Sequence, residues 1–160
     1  MNKILPAVIF WLTVSAVFAQ NAKNDDIKNA AEIPDRLFAA MKTKNFEEIR
    51  NTFTPEGQLV AIDKPRDGKG VSKTRVFTAE NFAKTISEAK SADFIEKMPN
   101  KDVRVTGDLA LVSGRYTFYV GDKFSHCGTN TFNLVRTEAG WKIANAASTL
   151  EFQCERDLRA

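Results

Sequence analysis

Metal-ligating and nucleophilic side chains are scarce in this sequence. Its 160 residues include a single histidine, His126, and two cysteines, Cys127 and Cys154. One histidine and two separated cysteines give no ligand cluster with zinc spacing, so we expect no metal site. The glycines of Gly68-Lys69-Gly70 match the spacing of neither a dinucleotide loop nor a phosphate loop. We therefore expect no cofactor.

A large excess of charge of one sign is also lacking. The formal net charge is +3 at pH 7, and removing Lys3, the only charged residue before Lys23, would take it from +3 to +2. The one basic stretch is interrupted by proline and glycine and has no interleaved aromatic residues. A solvated hairpin loop is therefore favoured over an anion or nucleic-acid patch, and we expect no nucleic-acid partner. Its cations are Lys64, Arg66, Lys69, Lys73 and Arg75.

The N-terminus has the pattern of an export signal at residues 1–19. One lysine precedes an apolar run from Ile4 to Phe18, and Ala19 ends it with a small residue. The run is short for a membrane-spanning helix, although an uncleaved anchor is the alternative. No cysteine near the cleavage point could accept a lipid. We expect a periplasmic or secreted protein with one domain at 20–160, its core at 27–150, and no membrane contact after cleavage.

Periodicity predicts helices first and a sheet last. Asp25 or Asp26 can cap a first helix that Pro34 kinks or divides, Asn45 with Glu48 resembles a capping box, and Thr78 can cap a third helix. From Asp93 onward apolar residues alternate with a period of two, which indicates a long antiparallel meander. Helices on one face of such a sheet give an α+β domain. The predicted strands are 58–62, 71–77, 94–106, 108–120, 123–136 and 141–150.

Three segments carry a resemblance to a known family: Gly107 to Gly114, Tyr116-Thr117-Phe118 and Gly140-Trp141-Lys142-Ile143. With the element order, they make the region from Ile27 to Leu150 resemble the nuclear transport factor 2-like superfamily. The resemblance implies a cone-shaped half-barrel whose concave sheet face and helices enclose a pocket. That superfamily includes ketosteroid isomerases, polyketide cyclases, dehydratases and transport adaptors, so the fold alone does not choose a function.

Turns at Gly121-Asp122 and before Trp141 predict the pairing of the last three strands. In that register one sheet face is apolar at one end and polar at the other, as small-molecule pockets are lined. His126 stands opposite Glu151, and Gly128 leaves a gap over which Arg115 can lie. The candidate ligand-binding residues are Arg115, Tyr119, His126, Asn130, Thr149 and Glu151.

Arg115 is the predicted anchor for an anionic or carbonyl-bearing ligand, and a structural bridge from Arg115 to Glu151 is the alternative. Export favours a disulfide between Cys127 and Cys154. Cys127 faces Leu150 in the predicted register, so this bond requires the last strand to end near Leu150 and the chain to turn back.

The opposite face of the predicted sheet, which includes Ala110, Val112 and Tyr116, is too apolar to be fully exposed to water. We expect a homodimer through the sheet or a cover from the N-terminal segment. Two function classes remain open. One is an exported binding or accessory domain for a small apolar or anionic molecule. The other is an isomerase, cyclase or dehydratase acting on a small carbonyl-bearing apolar substrate, although the isomerase donors cannot be placed, because Tyr116 and Tyr119 both lie on the sheet.

Overall fold

The computed structural model describes residues 9–154, with side chains from residue 24 onward. Within this range the order of elements is that of an α+β domain, as predicted. The helices are α1 (Ile9–Thr43), α2 (Phe46–Thr52) and α3 (Ala79–Ser87). The strands are β1 (Phe53–Asp63), β2 (Lys73–Thr78), β3 (Phe94–Lys97), β4 (Asp102–Thr106), β5 (Leu109–Val120), β6 (Lys123–Thr137) and β7 (Gly140–Leu150).

The predicted starts of the two short helices are confirmed. Asn45 Oδ1 accepts a hydrogen bond from the Glu48 N–H at 3.2 Å, and Thr78 Oγ1 accepts one from the Asn81 N–H at 3.1 Å. These side chains satisfy backbone donors that have no partner inside the helix.

The predicted start of the first helix is wrong, because α1 is already helical at Ile9 and continues through Pro34. Asp26 does not cap it, since its carboxylate pairs with Arg136 at 2.7 Å. Of the predicted signal peptide, residues 1–8 lie outside the described residues and residues 9–19 belong to α1. Its cleavage stays a prediction. Among the described helices, none is both long enough and apolar enough to cross a membrane.

The sheet is mixed and open, which corrects the expectation of a purely antiparallel one. Its strand order is β2-β1-β7-β6-β5-β3, with β4 also paired to β5. β1 runs parallel to β7, so that Leu59 stands beside Ala146. The predicted strand at 94–106 is two strands, because the chain leaves the sheet around Pro99, which cannot donate to a ladder.

Two bulges change the register of the last three strands. Next to the Gly121-Asp122 turn the pairing is as predicted, with Tyr119 opposite Phe124, but beyond Ser125 the register shifts and Phe118 faces His126. A second shift lies between Asn133 and Leu134 in the pairing of β6 with β7. Because strand side chains alternate, a one-residue shift moves a whole segment to the other face.

The concave face, defined as the sheet face covered by the helices, therefore differs from the predicted one on β5. It carries Ala110, Val112 and Tyr116, which are buried, whereas Leu109 and Leu111 on the uncovered convex face are 62% and 36% exposed. Ala110, Val112 and Tyr116, predicted to form the dimer surface, are core residues. The homodimer stays a prediction, but these residues of the apolar surface that motivated it are buried inside the domain.

Candidate functional site

A cavity of about 190 Å³ lies between the helices and the concave face. Its walls are mostly apolar, because α1, α3 and the sheet each present their buried side chains to it. Polar side chains enter at only a few points, which is the composition expected of a small-molecule site. The apolar walls include Leu37, Phe38, Met41, Leu59, Phe77, Phe82, Ile86, Phe118, Phe132 and Leu150.

The most enclosed polar group in the cavity wall is Asn130 on β6, which is 1% exposed. Its Nδ2 donates a hydrogen bond to Glu96 Oε1 on β3 at 2.6 Å. Its Oδ1 is buried and has no hydrogen-bond partner among the described residues. Buried polar atoms are nearly always paired, so an unpaired one that lines a cavity marks a place for a ligand group or water.

Glu96 was missed in the sequence, where it fell inside one long predicted strand. It lies two residues after Phe94, on the same side of β3, and its carboxyl lines the cavity. Burial of the carboxyl raises the pKa of Glu96 to about 7, and the hydrogen bond from Asn130 opposes this only in part. A glutamate two residues from both Phe94 and Met98 was the available signal.

His126 also lines the cavity, and aromatic rings surround it. Its ring stacks on Phe118 with centroids 4.8 Å apart, Tyr116 is at 5.8 Å, and Phe152 is at 6.4 Å. Burial lowers the pKa of His126 to about 4, so the imidazole is neutral at neutral pH. The predicted pairing with Glu151, which would have raised this pKa, is wrong, because the residue opposite Glu151 is Cys127.

Tyr116 occupies the space that the sequence assigned to Arg115. It stands opposite Gly128, and its hydroxyl donates to the Thr149 carbonyl at 2.9 Å. A Cβ at position 128 would lie 1.7 Å from that carbonyl oxygen and 2.7 Å from the tyrosine ring, so only glycine fits. Burial raises the pKa of Tyr116, which keeps the phenol protonated.

One ion pair stands in the cavity wall at the β1–β2 edge. Arg75 lines the cavity, and its Nε and Nη2 donate to the two carboxylate oxygens of Asp63 at 2.6 and 2.8 Å. The hydrogen bond from Arg75 lowers the pKa of Asp63 and raises that of Arg75 itself. The sequence suggested that Arg75 belongs to a solvated loop, whereas its side chain lines the cavity.

The remaining predicted site residues lie outside the cavity. Arg115 contacts Glu151 at 3.3 Å on the convex face, and Lys64 contacts the same carboxylate at 3.0 Å. Thr149 Oγ1 donates to Glu151 Oε1 at 3.0 Å, and the Tyr119 ring packs on Phe124. Of the six predicted residues, the structure brings only His126 and Asn130 to the cavity. The bridge from Arg115 to Glu151, predicted as the alternative, is present.

The Cys127–Cys154 disulfide is confirmed, with the Cα atoms 6.1 Å apart. β7 ends at Leu150, Glu151 makes an isolated bridge to Cys127, and the chain then turns back to Cys154, as this bond required. The turn places the Phe152 ring beside His126, with the Arg66 guanidinium 4.3 Å from its centroid.

Neither a group of metal-ligating side chains among the described residues nor a match to a known sequence assigns a function to this site. Within residues 9–154 no three His, Cys, Asp or Glu side chains are grouped so that they could hold a metal ion. No protein-family model matches the chain, and no curated protein matches it.

Solved structures with the same architecture are numerous. An NTF2-like protein with a cystatin-like fold from Novosphingobium aromaticivorans is 14% identical, with a TM-score of 0.70 over 91% of this chain and 94% of that one. An NTF2-like superfamily protein from Salmonella enterica serovar Typhimurium is 14% identical, with a TM-score of 0.64 over 84% and 96%. An NTF2-like protein from Pseudomonas putida is 13% identical, with a TM-score of 0.59 over 79% and 87%. The chain has the NTF2-like cone fold that its sequence resemblance implied.

Proposed function

We propose that this domain is an exported binding protein for a small, largely apolar molecule, which it holds in the cavity on the concave face. The observation that carries the proposal is the Asn130 side chain, whose buried Oδ1 has no partner among the described residues while its Nδ2 is held by Glu96. Leaving such an atom unpaired costs about 1–3 kcal/mol, and a ligand donor would recover that loss. His126 and Asn130 are the sequence-predicted residues that the proposal retains.

The size of the cavity fits this role. An engineered cavity of about 150 Å³ with aliphatic and aromatic walls binds benzene. The cavity of about 190 Å³ is somewhat larger, which is enough for one substituted ring. Export is supported by the signal-like residues 1–19 and by the disulfide, which persists in oxidising compartments.

Blocking the entrance tests the proposal. Thr85 on α3 is exposed and also lines the cavity, so Thr85→Trp should fill the mouth without disturbing the core. We expect ligand-observed NMR to show that ethylbenzene or indole binds the wild type and binds Thr85→Trp at least about tenfold more weakly. Lys84→Trp is the matched control, because Lys84 is exposed on the same helix and does not line the cavity.

Native mass spectrometry of protein isolated from its own compartment gives the complementary test. A co-purifying molecule of about one ring in size would support the proposal. Probes that bind both tryptophan variants equally well, or bind neither variant nor the wild type, would contradict it.

A second candidate function is favoured by one observation on Glu96. A carboxyl with a pKa of about 7 in a mostly apolar cavity is suited to proton transfer at neutral pH. The domain would then be an isomerase, cyclase or dehydratase acting on a small carbonyl-bearing apolar substrate. Exchange of the α-protons of acetophenone into deuterated water would show this activity, and Glu96→Gln should abolish it. Exchange no faster than in buffer would leave binding as the function.

A further inference from the structure

We propose that the cavity selects neutral ligands in which an N–H or O–H donor stands next to a carbonyl, such as a carboxamide or lactam carried on an apolar ring. The inference rests on the proposed function, because it specifies which molecules the cavity binds. The observation behind it is the Asn130–Glu96 pair, in which Asn130 Oδ1 and Glu96 Oε2 remain unused at one part of a mostly apolar wall.

The first position is an acceptor. Asn130 is 1% exposed, lines the cavity, and its Oδ1 receives no hydrogen bond from any described residue. An amide oxygen can only accept, so the ligand group that satisfies it must carry an N–H or O–H. An apolar ligand without a donor would leave this oxygen unpaired and lose the benefit of the bond.

The second position is a donor while Glu96 is neutral. Glu96 Oε1 accepts from Asn130 Nδ2, so the acid proton is available at Oε2, which makes no hydrogen bond to the described residues. A protonated carboxyl donates well to a carbonyl oxygen. A 2.6 Å hydrogen bond joins the two side chains, and the proposed ligand amide would contact the unused atom of each.

Among the described residues that line this cavity, no unpaired cation is available for an anionic ligand. The Arg75 guanidinium on β2 is held by Asp63, and the His126 imidazole on β6 is neutral because burial lowers its pKa. Tyr116 on β5 uses its proton on the Thr149 carbonyl. The α1 residues in the cavity wall are apolar. Asp35 and Lys42 of α1, with Lys97 of β3, line a neighbouring cleft that Glu96 also borders.

This arrangement argues against the anionic ligand that the sequence offered as one possibility for the cavity. That prediction depended on Arg115, which lies on the convex face with Glu151. A carboxylate entering the cavity would bring its charge beside the acceptor oxygen of Asn130 and, apart from the Glu96 proton, would meet no group that compensates its lost hydration.

Four ring compounds of nearly equal size test the selection. Benzamide has the donor and the carbonyl, acetophenone has the carbonyl alone, ethylbenzene has neither, and benzoate is an anion. We expect isothermal titration calorimetry at pH 6 to show that the wild-type protein binds benzamide about tenfold more tightly than acetophenone or ethylbenzene. Benzoate should bind most weakly.

Two variants test whether the Asn130–Glu96 pair causes the preference for benzamide. Asn130→Leu removes the acceptor, so we expect ethylbenzene affinity to be kept and the preference for benzamide over acetophenone to disappear. Glu96→Gln keeps an acceptor for Asn130 Nδ2 and supplies an N–H donor at any pH. Benzamide affinity of the wild type should fall about tenfold between pH 6 and pH 8.5 as Glu96 ionises, whereas that of Glu96→Gln should stay constant. The comparison of wild type with Glu96→Gln at the two pH values tests the inference even if Asn130→Leu does not fold.

The outcomes separate this inference from the proposed function. If ethylbenzene binds as tightly as benzamide, the cavity is a binding site and the inference is wrong. A benzamide preference that survives Asn130→Leu, or that does not change with pH in the wild type, also overturns it. If none of the four compounds binds, the proposed function fails and the inference fails with it.

Discussion

Ionisable side chains on the two faces of the sheet differ in the direction in which their pKa values are shifted. On the concave face, burial raises the pKa of Glu96 and lowers that of His126, so both tend toward their neutral forms. On the convex face, burial alone would raise the pKa of Glu151, but hydrogen bonds from Lys64 and Thr149 and the charge of Arg115 hold it below its ordinary value. The two glutamates thus differ because burial dominates at Glu96, whereas hydrogen bonds and a nearby positive charge dominate at Glu151.

The comparison shows where function can be sought in such a sheet. The convex face holds a conspicuous charged cluster, but its charges are paired and partly exposed, with Arg115 39% exposed. Surface pairs of this kind contribute little energy and need no ligand. The concave face holds fewer polar groups, and one of them lacks a partner among the described residues. An unsatisfied neutral group is therefore the better indicator of a binding site here.

The largest effect should come from the glycine that lets Tyr116 of the concave face reach the backbone of β7. We expect Gly128→Ala to lower the free energy of unfolding by about 3 kcal/mol or more, because its Cβ would collide with the Thr149 carbonyl. Urea denaturation measures this. Gly107→Ala is the control: its Cβ would have open space, and only the positive φ of 58° should cost about 1 kcal/mol. Equal losses in the two variants would contradict the described register.

The disulfide should give the next largest effect. Its 27-residue separation corresponds to about 3.5 kcal/mol of stabilisation if the bond acts by restricting the unfolded chain. We expect a reducing agent to lower the stability of the wild type by about that amount and to leave the Cys127→Ala, Cys154→Ala double variant unchanged. Thiol labelling of unreduced, denatured wild-type protein should find no reactive thiol. Two labelled thiols would contradict the bond.

The concave face can be tested by titration. The folded-state pKa of Glu96, about 7, exceeds its ordinary value of 4.5, so the unfolded chain releases this proton first. The stability that neutral Glu96 contributes is present below about pH 4.5 and is lost as pH rises through about 7. Relative to the wild type, Glu96→Gln should therefore gain on the order of 2–3 kcal/mol between pH 4.5 and pH 8.

Denaturant titrations of both proteins at several pH values measure this difference. His126→Phe is the opposite control. The pKa of His126 is lowered from 6.5 to about 4, so its contribution is lost as pH falls from 6.5 through 4. A difference between Glu96→Gln and the wild type that is constant with pH would show that the Glu96 carboxyl is not desolvated.

The smallest effect should come from the convex face. Arg115→Met removes an exposed ion pair, and Glu151 keeps Lys64 and Thr149 as partners. We expect a loss of at most about 1 kcal/mol in unfolding free energy and no change in the affinity of the cavity for ethylbenzene. Calorimetry on the same preparation measures both quantities. Weaker ethylbenzene binding at unchanged stability would restore Arg115 as a site residue.

Local signals in the sequence predicted much of the fold. Caps at Asn45 and Thr78 and the turn at Gly121-Asp122 are short-range features, and each was found where expected. The disulfide followed from the exported pattern and the turn after Leu150. These features depend on residues close together in the chain or on one covalent bond, so sequence reasoning reaches them.

The composition of the site depended on features that have no local signal. One extra residue at Ser125 moves the strand segments on either side of it to opposite faces, so Arg115 left the predicted pocket and Tyr116 entered it. Glu96 meets Asn130 only because β3 and β6 pair on either side of β5. The parallel pairing of β1 with β7 joins segments far apart in sequence, and alternation alone cannot reveal it.

The parallel pairing has a consequence for how the molecule forms. β1 ends at Asp63, but its neighbour in the sheet is the last strand, and β2 joins the rest of the sheet only through β1. Contacts this distant in sequence slow folding, because a long loop must close before they stabilise anything. The part of the cavity wall formed by Leu59 and Arg75 can therefore join the other strands of the sheet only after synthesis has passed Leu150. Until then the edge of β1 that pairs with β7 has no partner and is open to association with other chains.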